Sequence, residues 1–208
     1  IPVLFELWSR GMGTVGTKSV GWWAFGALAL WPMGVGAGLW QLEQYANTPG
    51  VLADPPAVWP ASLALHRDPG QSTLLMLAHP RCPCTRASLH ELSRLVADIG
   101  GHADVIVLFA DPTGTRWEHT DLWALAEGIP GVRVMADPGA TLANALGAHT
   151  SGQVVVYGPE GGLLFNGGIT PSRGHEGQSA GRAAIAAFVN EGTSPIDSTN
   201  VFGCALAG

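Results

Sequence analysis

The chain has 208 residues, 47% of them apolar and only 12% charged, with 10 Lys or Arg against 16 Asp or Glu and a formal net charge of −6. That length suits one ordinary domain plus a further apolar segment. The acidic balance excludes nucleic acid as the main partner, and no phosphate-binding loop or dinucleotide fingerprint is present.

Residues 1–19 form a short N-terminal segment, expected on the cytoplasmic side. No formal charge occurs between Lys18 and Glu43, and residues 20–42 read as a single transmembrane helix, since a hydrocarbon core of about 30 Å takes roughly 20 apolar residues. Trp22, Trp23 and Trp40 fall near its ends, where interfacial aromatics belong, and Pro32 predicts a kink. A cleaved secretory signal fits less well, because its apolar region runs to only about 15 residues and ends at a small-x-small site. A buried core helix is the other alternative. Arg10 and Lys18 precede the span, while Glu43 and Asp54 follow it. That asymmetry predicts a single-pass protein of the inner (cell) membrane, with its main domain in the periplasm or another extracytoplasmic space. Residues 43–62 carry Pro49, Pro55, Pro56 and Pro60, a composition for an extended stalk.

From residue 63 to 191 strand and helix patterns alternate. Strands are expected at Ser72–Ala78, Asp104–Ala110, Val132–Ala136, Gln153–Tyr157 and Leu163–Asn166. Helices are expected at Thr85–Ile99, Thr120–Glu127, Gly139–Leu146 and Ser179–Asn190. This order predicts an α/β fold, a central mixed β-sheet flanked by helices, with Gly158-Pro159-Glu160-Gly161-Gly162 turning a closing hairpin. Residues 192–208 are a tail without clear period.

The chemistry concentrates at Cys82-Pro83-Cys84, between the first strand and the first helix of this domain. A helix N-terminus offers unpaired N–H groups and the positive end of the dipole, so a thiolate at Cys82 is stabilised there. Arg81 and Arg86 add positive charge, and Pro83 restricts the backbone between the two thiols. Cys82 is read as the attacking thiolate and Cys84 as the resolving thiol. The third cysteine, Cys204, lies in the apolar tail. It is expected close to the Cys82-Pro83-Cys84 turn, because the tail is long enough to return across the domain and its apolar Val201, Phe202, Ala205 and Leu206 would then be buried. There it pairs with the motif or resolves it as a third catalytic thiol, the alternatives being a buried inert thiol or a pairing with a partner chain.

Here the chain resembles the thioredoxin superfamily, in particular membrane-anchored extracytoplasmic thiol-disulfide proteins of the RedB-like group. The residues that carry the resemblance are His79-Pro80-Arg81-Cys82-Pro83-Cys84-Thr85-Arg86-Ala87-Ser88, then Asp137 to Gly147, then Gly168-Ile169-Thr170-Pro171-Ser172-Arg173-Gly174-His175. It implies a thioredoxin-like domain acting on protein thiols or disulfides without a cofactor. It also implies a substrate groove formed by Arg81, Pro83, Thr150, Ser151, Arg173 and His175. Three differences stand out: one residue separates the cysteines, Ala148-His149-Thr150-Ser151-Gly152 stands where the superfamily keeps a cis-proline, and the strand ahead of the motif has no carboxylate. Two other readings follow from the same residues. One is an accessory subunit of a larger membrane complex, docked through its helix. The other is a copper-binding assembly protein holding the metal with Cys82, Cys84, His79 and His149.

Overall fold

The computed structural model describes residues 21–63, 65–111 and 120–206. The expected N-terminal segment, with Arg10 and Lys18, lies outside them. The chain divides into two compact units at Leu42 and Glu43.

The first unit contributes most of α1 (Trp22–Asn47), a helix of 26 residues with Pro32 inside it. The predicted helix therefore exists, and no helix among the described residues is long and apolar enough to cross a membrane. The reason lies in composition, because Gly26, Gly34, Gly36, Gly38, Pro32 and four tryptophans dilute its hydropathy. Trp22, Trp23, Trp31 and Trp40 are exposed.

The second unit is built on five strands, β1 (Ser72–Ala78), β2 (Ala103–Asp111), β3 (Val132–Pro138), β4 (Gln153–Tyr157) and β5 (Leu163–Gly168), in the order β3-β2-β1-β4-β5. β1 pairs parallel with β2 and antiparallel with β4, β2 runs parallel to β3, and β4 and β5 close as an antiparallel hairpin. Helices α2 (Pro83–Ile99), α3 (Asp121–Glu127), α4 (Thr141–Ala145) and α5 (Ala180–Glu191) flank the sheet, giving a thioredoxin-like fold.

β1 is buried along its whole length. Its alternate side chains serve two cores, as a period of two requires. Leu74, Met76 and Ala78 join Leu89, Leu92 and Leu95 of α2 and Ile185 of α5. Leu75 and Leu77 face Ile106, Leu108, Val155 and Tyr157, a cluster completed by Leu146 and, from the tail, Leu206.

One segment packs differently from its sequence reading, and the tail packs as expected. The proline-rich residues 43–62 lie along β4 and β5 instead of extending as a stalk. Ala53 is buried, its N–H donates to Gln153 Oε1 at 3.3 Å, and its carbonyl accepts from Asn166 Nδ2 at 2.7 Å. Tyr157 donates its hydroxyl to the Pro56 carbonyl at 2.9 Å, and Trp59 meets the Tyr157 ring edge-on. The tail also packs, with Val201, Phe202 and Leu206 buried. The helix expected from Gly139 begins at Thr141, because Gly139 (φ 69°) and Ala140 (φ 52°) are left-handed. Asp137 then caps it, accepting from Leu142 N at 2.9 Å and Ala143 N at 2.8 Å.

Candidate functional site

β1 ends at Ala78, and the next residues turn outside the carboxyl end of the central parallel strand, where open α/β sheets place their sites. His79 O accepts from Cys82 N at 3.1 Å, and Cys82 takes the N-cap of α2 with Pro83 in the first turn. Proline suits that place because its missing N–H has no helical partner there to lose. The helix thus starts at Pro83 rather than Thr85, setting Cys82 on its N-terminus.

All three cysteines are free, and their sulfurs lie within 4.8 Å of one another. Cys82 Sγ is 2.9 Å from Cys204 Sγ and 3.4 Å from the Cys204 N–H. Burial pushes the Cys82 thiol up, but hydrogen bonds from the side chain and backbone of Cys204, and then of Thr85, bring it below its ordinary value. Cys204 moves the opposite way, to about 12, through burial and then its hydrogen bond and proximity to Cys82. Cys82 is therefore the group that ionises and Cys204 the one that keeps its proton. Cys84 is raised, by burial first and then by the charge on Cys82.

The arginines beside the motif act differently from the expectation. Arg86 pairs with Asp121, and the Cys82 shift comes from Cys204 and Thr85. Arg81 is exposed and, after burial, is the second cause that lowers His79. A hollow of about 440 Å³ opens beside Arg81, Cys82 and Pro83.

Thr150 and Ser151 are buried fasteners through their side chains. Ser151 Oγ accepts from His79 N at 2.8 Å and lies 2.7 Å from Thr85 Oγ1; Thr150 Oγ1 donates to Val51 O at 2.8 Å. Their backbone meets the tail. Ser151 N donates to Cys204 O at 2.8 Å, Leu206 N donates to His149 O at 2.9 Å, and Thr150 bridges Ala205 antiparallel. No cis peptide occurs among the described residues.

Arg173 also serves the tail: its guanidinium donates to the Gly203 and Thr48 carbonyls and lies 5.1 Å from the centre of the Tyr45 ring. His175 is exposed, with Nδ1 2.8 Å from Arg173 O. The histidines do not join the sulfurs. His79 Nδ1 accepts from Arg81 N at 3.2 Å, His149 is exposed, and the cluster of potential ligands consists of Cys82, Cys84 and Cys204. Three thiolates suit a soft, thiophilic cation such as Cu(I).

Two participants carried no sequence signal strong enough to single them out. Thr85 looks like an ordinary first-turn residue, and Gly203 like one more glycine in the tail. Thr85 matters because α2 starts at Pro83 and sets it within hydrogen-bonding reach of Cys82, and Gly203 because the tail passes tightly over Ser151.

No family model matches the chain. No curated protein matches it either. Among solved structures it is similar to an uncharacterized conserved protein from Geobacillus kaustophilus, at 20% identity and a TM-score of 0.57, covering 78% of this chain and 94% of that one. It is also similar to a hypothetical protein from Sinorhizobium meliloti 1021, at 20% identity and a TM-score of 0.55, covering 76% and 93%. At these identities the likeness is one of fold. A weaker likeness is to the pneumococcal exposed lipoprotein thioredoxin Etrx1 from Streptococcus pneumoniae, at 18% identity and a TM-score of 0.43, covering 59% and 86%.

Proposed function

We propose that the chain is a thiol-disulfide oxidoreductase acting on protein thiols or disulfides, with Cys82 as nucleophile and Cys84 as resolving thiol. The observation that carries this reading is a cysteine at a helix N-terminus, lowered below its ordinary pKa, with two further sulfurs within 4.8 Å.

The Cys82 thiolate attacks one sulfur of a partner disulfide, forms a mixed disulfide and releases the other sulfur as a thiolate. Cys84 is held protonated in part by the charge on Cys82. Once Cys82 is bonded to the partner that charge is gone, and Cys84 ionises more readily with Arg173 favouring its thiolate. Cys84 then attacks Cys82 Sγ, a Cys82–Cys84 disulfide forms, and the partner leaves reduced by two electrons. The reverse sequence oxidises a dithiol. An extracytoplasmic location belongs to this proposal, because disulfide exchange with protein substrates is sustained where the compartment is oxidising.

Single-site variants test it. Cys82→Ser is expected to lower exchange at least a hundredfold, whereas Cys84→Ser keeps the attack and accumulates mixed disulfides visible on non-reducing gels. Absence of turnover with any disulfide, together with equal and ordinary alkylation rates for Cys82 and Cys84, overturns the reading. The three-sulfur cluster favours a second function, the holding of Cu(I). Thiol counting and metal analysis on one anaerobic sample separate the two, since a bound metal blocks the thiols without consuming them.

A further inference from the structure

The tail lies across the site and is joined to residues 149–151 by a single antiparallel bridge. Ser151 N donates to Cys204 O and Leu206 N donates to His149 O, so the backbone of 149–151 pairs with that of 204–206. On one side of the cysteine, Gly203 leaves no room for a side chain: a Cβ there stands 1.8 Å from Ser151 O. On the other, Leu206 is buried in the second core beside Leu146 and Ala148. Ala205, between them, is exposed. Arg173 holds the Gly203 carbonyl from outside. Cys204 Sγ then arrives 2.9 Å from Cys82 Sγ. Backbone pairing gives affinity without sequence selectivity, and alternate side-chain positions supply the selectivity.

We propose that residues 203–206 are a built-in occupant of the groove that receives the reacting strand of a partner protein, with Cys204 in the place of the partner's sulfur. The groove accordingly selects extended strands with glycine before the cysteine and an aliphatic residue two positions after it, and the tail excludes such strands until it is displaced. The proposal rests on the reading of Cys82 as the reacting thiol. With a partner strand seated, Cys204 is removed from Cys82 and Cys84 remains as the resolving thiol.

The test uses the full chain carrying Cys204→Ser, with and without Gly203→Val, which drives a side chain into Ser151 and unseats the tail. The probe is the peptide Asn-Val-Phe-Gly-Cys-Ala-Leu-Ala, this chain's own residues 200–207, with its cysteine as a 2-thiopyridyl disulfide; a second peptide has valine in place of the glycine. The Cys82 thiolate attacks the peptide sulfur, the new S–S bond forms, and 2-thiopyridone leaves and is read by absorbance, with the adduct confirmed by mass. Unseating the tail is expected to raise the rate with the glycine peptide at least tenfold, and the valine peptide is expected to react at least tenfold more slowly on the same protein. Leu206→Ala, which loosens the anchor while keeping the backbone pairing, is the second variant, with a rise of threefold or more; circular dichroism checks the fold of both. Equal rates with the tail seated and unseated, or equal rates for the two peptides, overturn the groove assignment. If the unseated protein reacts with 2,2′-dithiodipyridine but shows no preference between peptides, only this inference fails. If Cys82 reacts with neither the small disulfide nor the peptides, the oxidoreductase reading fails as well.

Discussion

The opposed behaviour of Cys82 and Cys204 is the central feature at the scale of single residues. The two sulfurs lie 2.9 Å apart, and the one that also meets Thr85 and the helix N-terminus loses its proton first, leaving the Cys204 thiol to donate to it. The pH dependence of alkylation at Cys82 is therefore expected to have its midpoint below the ordinary 9.0, and Cys204→Ala is expected to move that midpoint upward by removing the side-chain donor. An unchanged midpoint in the variant, followed by mass spectrometry of the modified peptide, contradicts this origin of the shift. The linkage to stability has two signs. Cys82, lowered on folding, contributes stability that is complete above 9.0 and is lost as pH falls through its folded pKa. Cys204, raised to about 12, contributes stability that is complete below 9.0 and is lost as pH climbs toward 12. From pH 9 upward the parent chain should lose stability relative to Cys204→Ala, measured as the difference in urea unfolding between pH 9 and pH 10.5.

Among the elements, α2 carries the site and is held at its far side by a buried carboxylate. Glu91 is fully buried, pairs with Arg94, stands 3.3 Å from Arg182 Nε of α5, and accepts from Gly177 N at 2.8 Å. Glu91 thus joins α2 to α5 and to the loop that carries Arg173. Removing one partner of such a group strands the other, so Glu91→Ala is expected to cost about 3 kcal/mol, at the lower end of the buried-pair range because Arg94 and Arg182 both reach solvent. The denaturant midpoint reads this directly; a change under about 0.5 kcal/mol, the size usual for surface substitutions, shows that the pair has no structural weight. Helix α3 has a simpler device: Thr120 accepts from Trp123 N at 3.2 Å, so Thr120→Ala should cost about 1 kcal/mol through loss of the N-cap.

For the whole molecule, the useful boundary lies at Glu43 rather than at residue 63. The segment between them supplies Ala53 to the second core and hydrogen-bonds with Thr150, Gln153, Tyr157 and Asn166. At about 1 kcal/mol for each of these four bonds, a fragment beginning at Leu63 is expected to be at least 3 kcal/mol less stable than one beginning at Glu43. Thermal unfolding of the two fragments checks this, and equal midpoints mean that the segment adds nothing to the fold.

The strands and long helices of the domain could be read from residues alone, because their information is local. The period-two pattern of β1, the length of α2 and the Gly-rich turn before β5 are properties of short windows. The thiolate position was equally legible, since a Cys-Pro-Cys between a strand and a helix places the first sulfur on a helix N-terminus. The helix at α1 was legible too, although glycine, proline and tryptophan weigh against its aliphatic residues and no described helix is long and apolar enough to cross a membrane. The nearness of Cys204 is expected from the odd cysteine count and the reach of the tail, and what only the tertiary structure decided is how the tail is held there. Cys204 is 122 residues from Cys82 along the chain, and its approach depends on the pairing of 149–151 with 204–206, on the tight passage of Gly203 and on Leu206 entering the second core. Each of those contacts joins segments with no shared local pattern, and their free energy comes from burying apolar surface and satisfying backbone groups only after the sheet has formed.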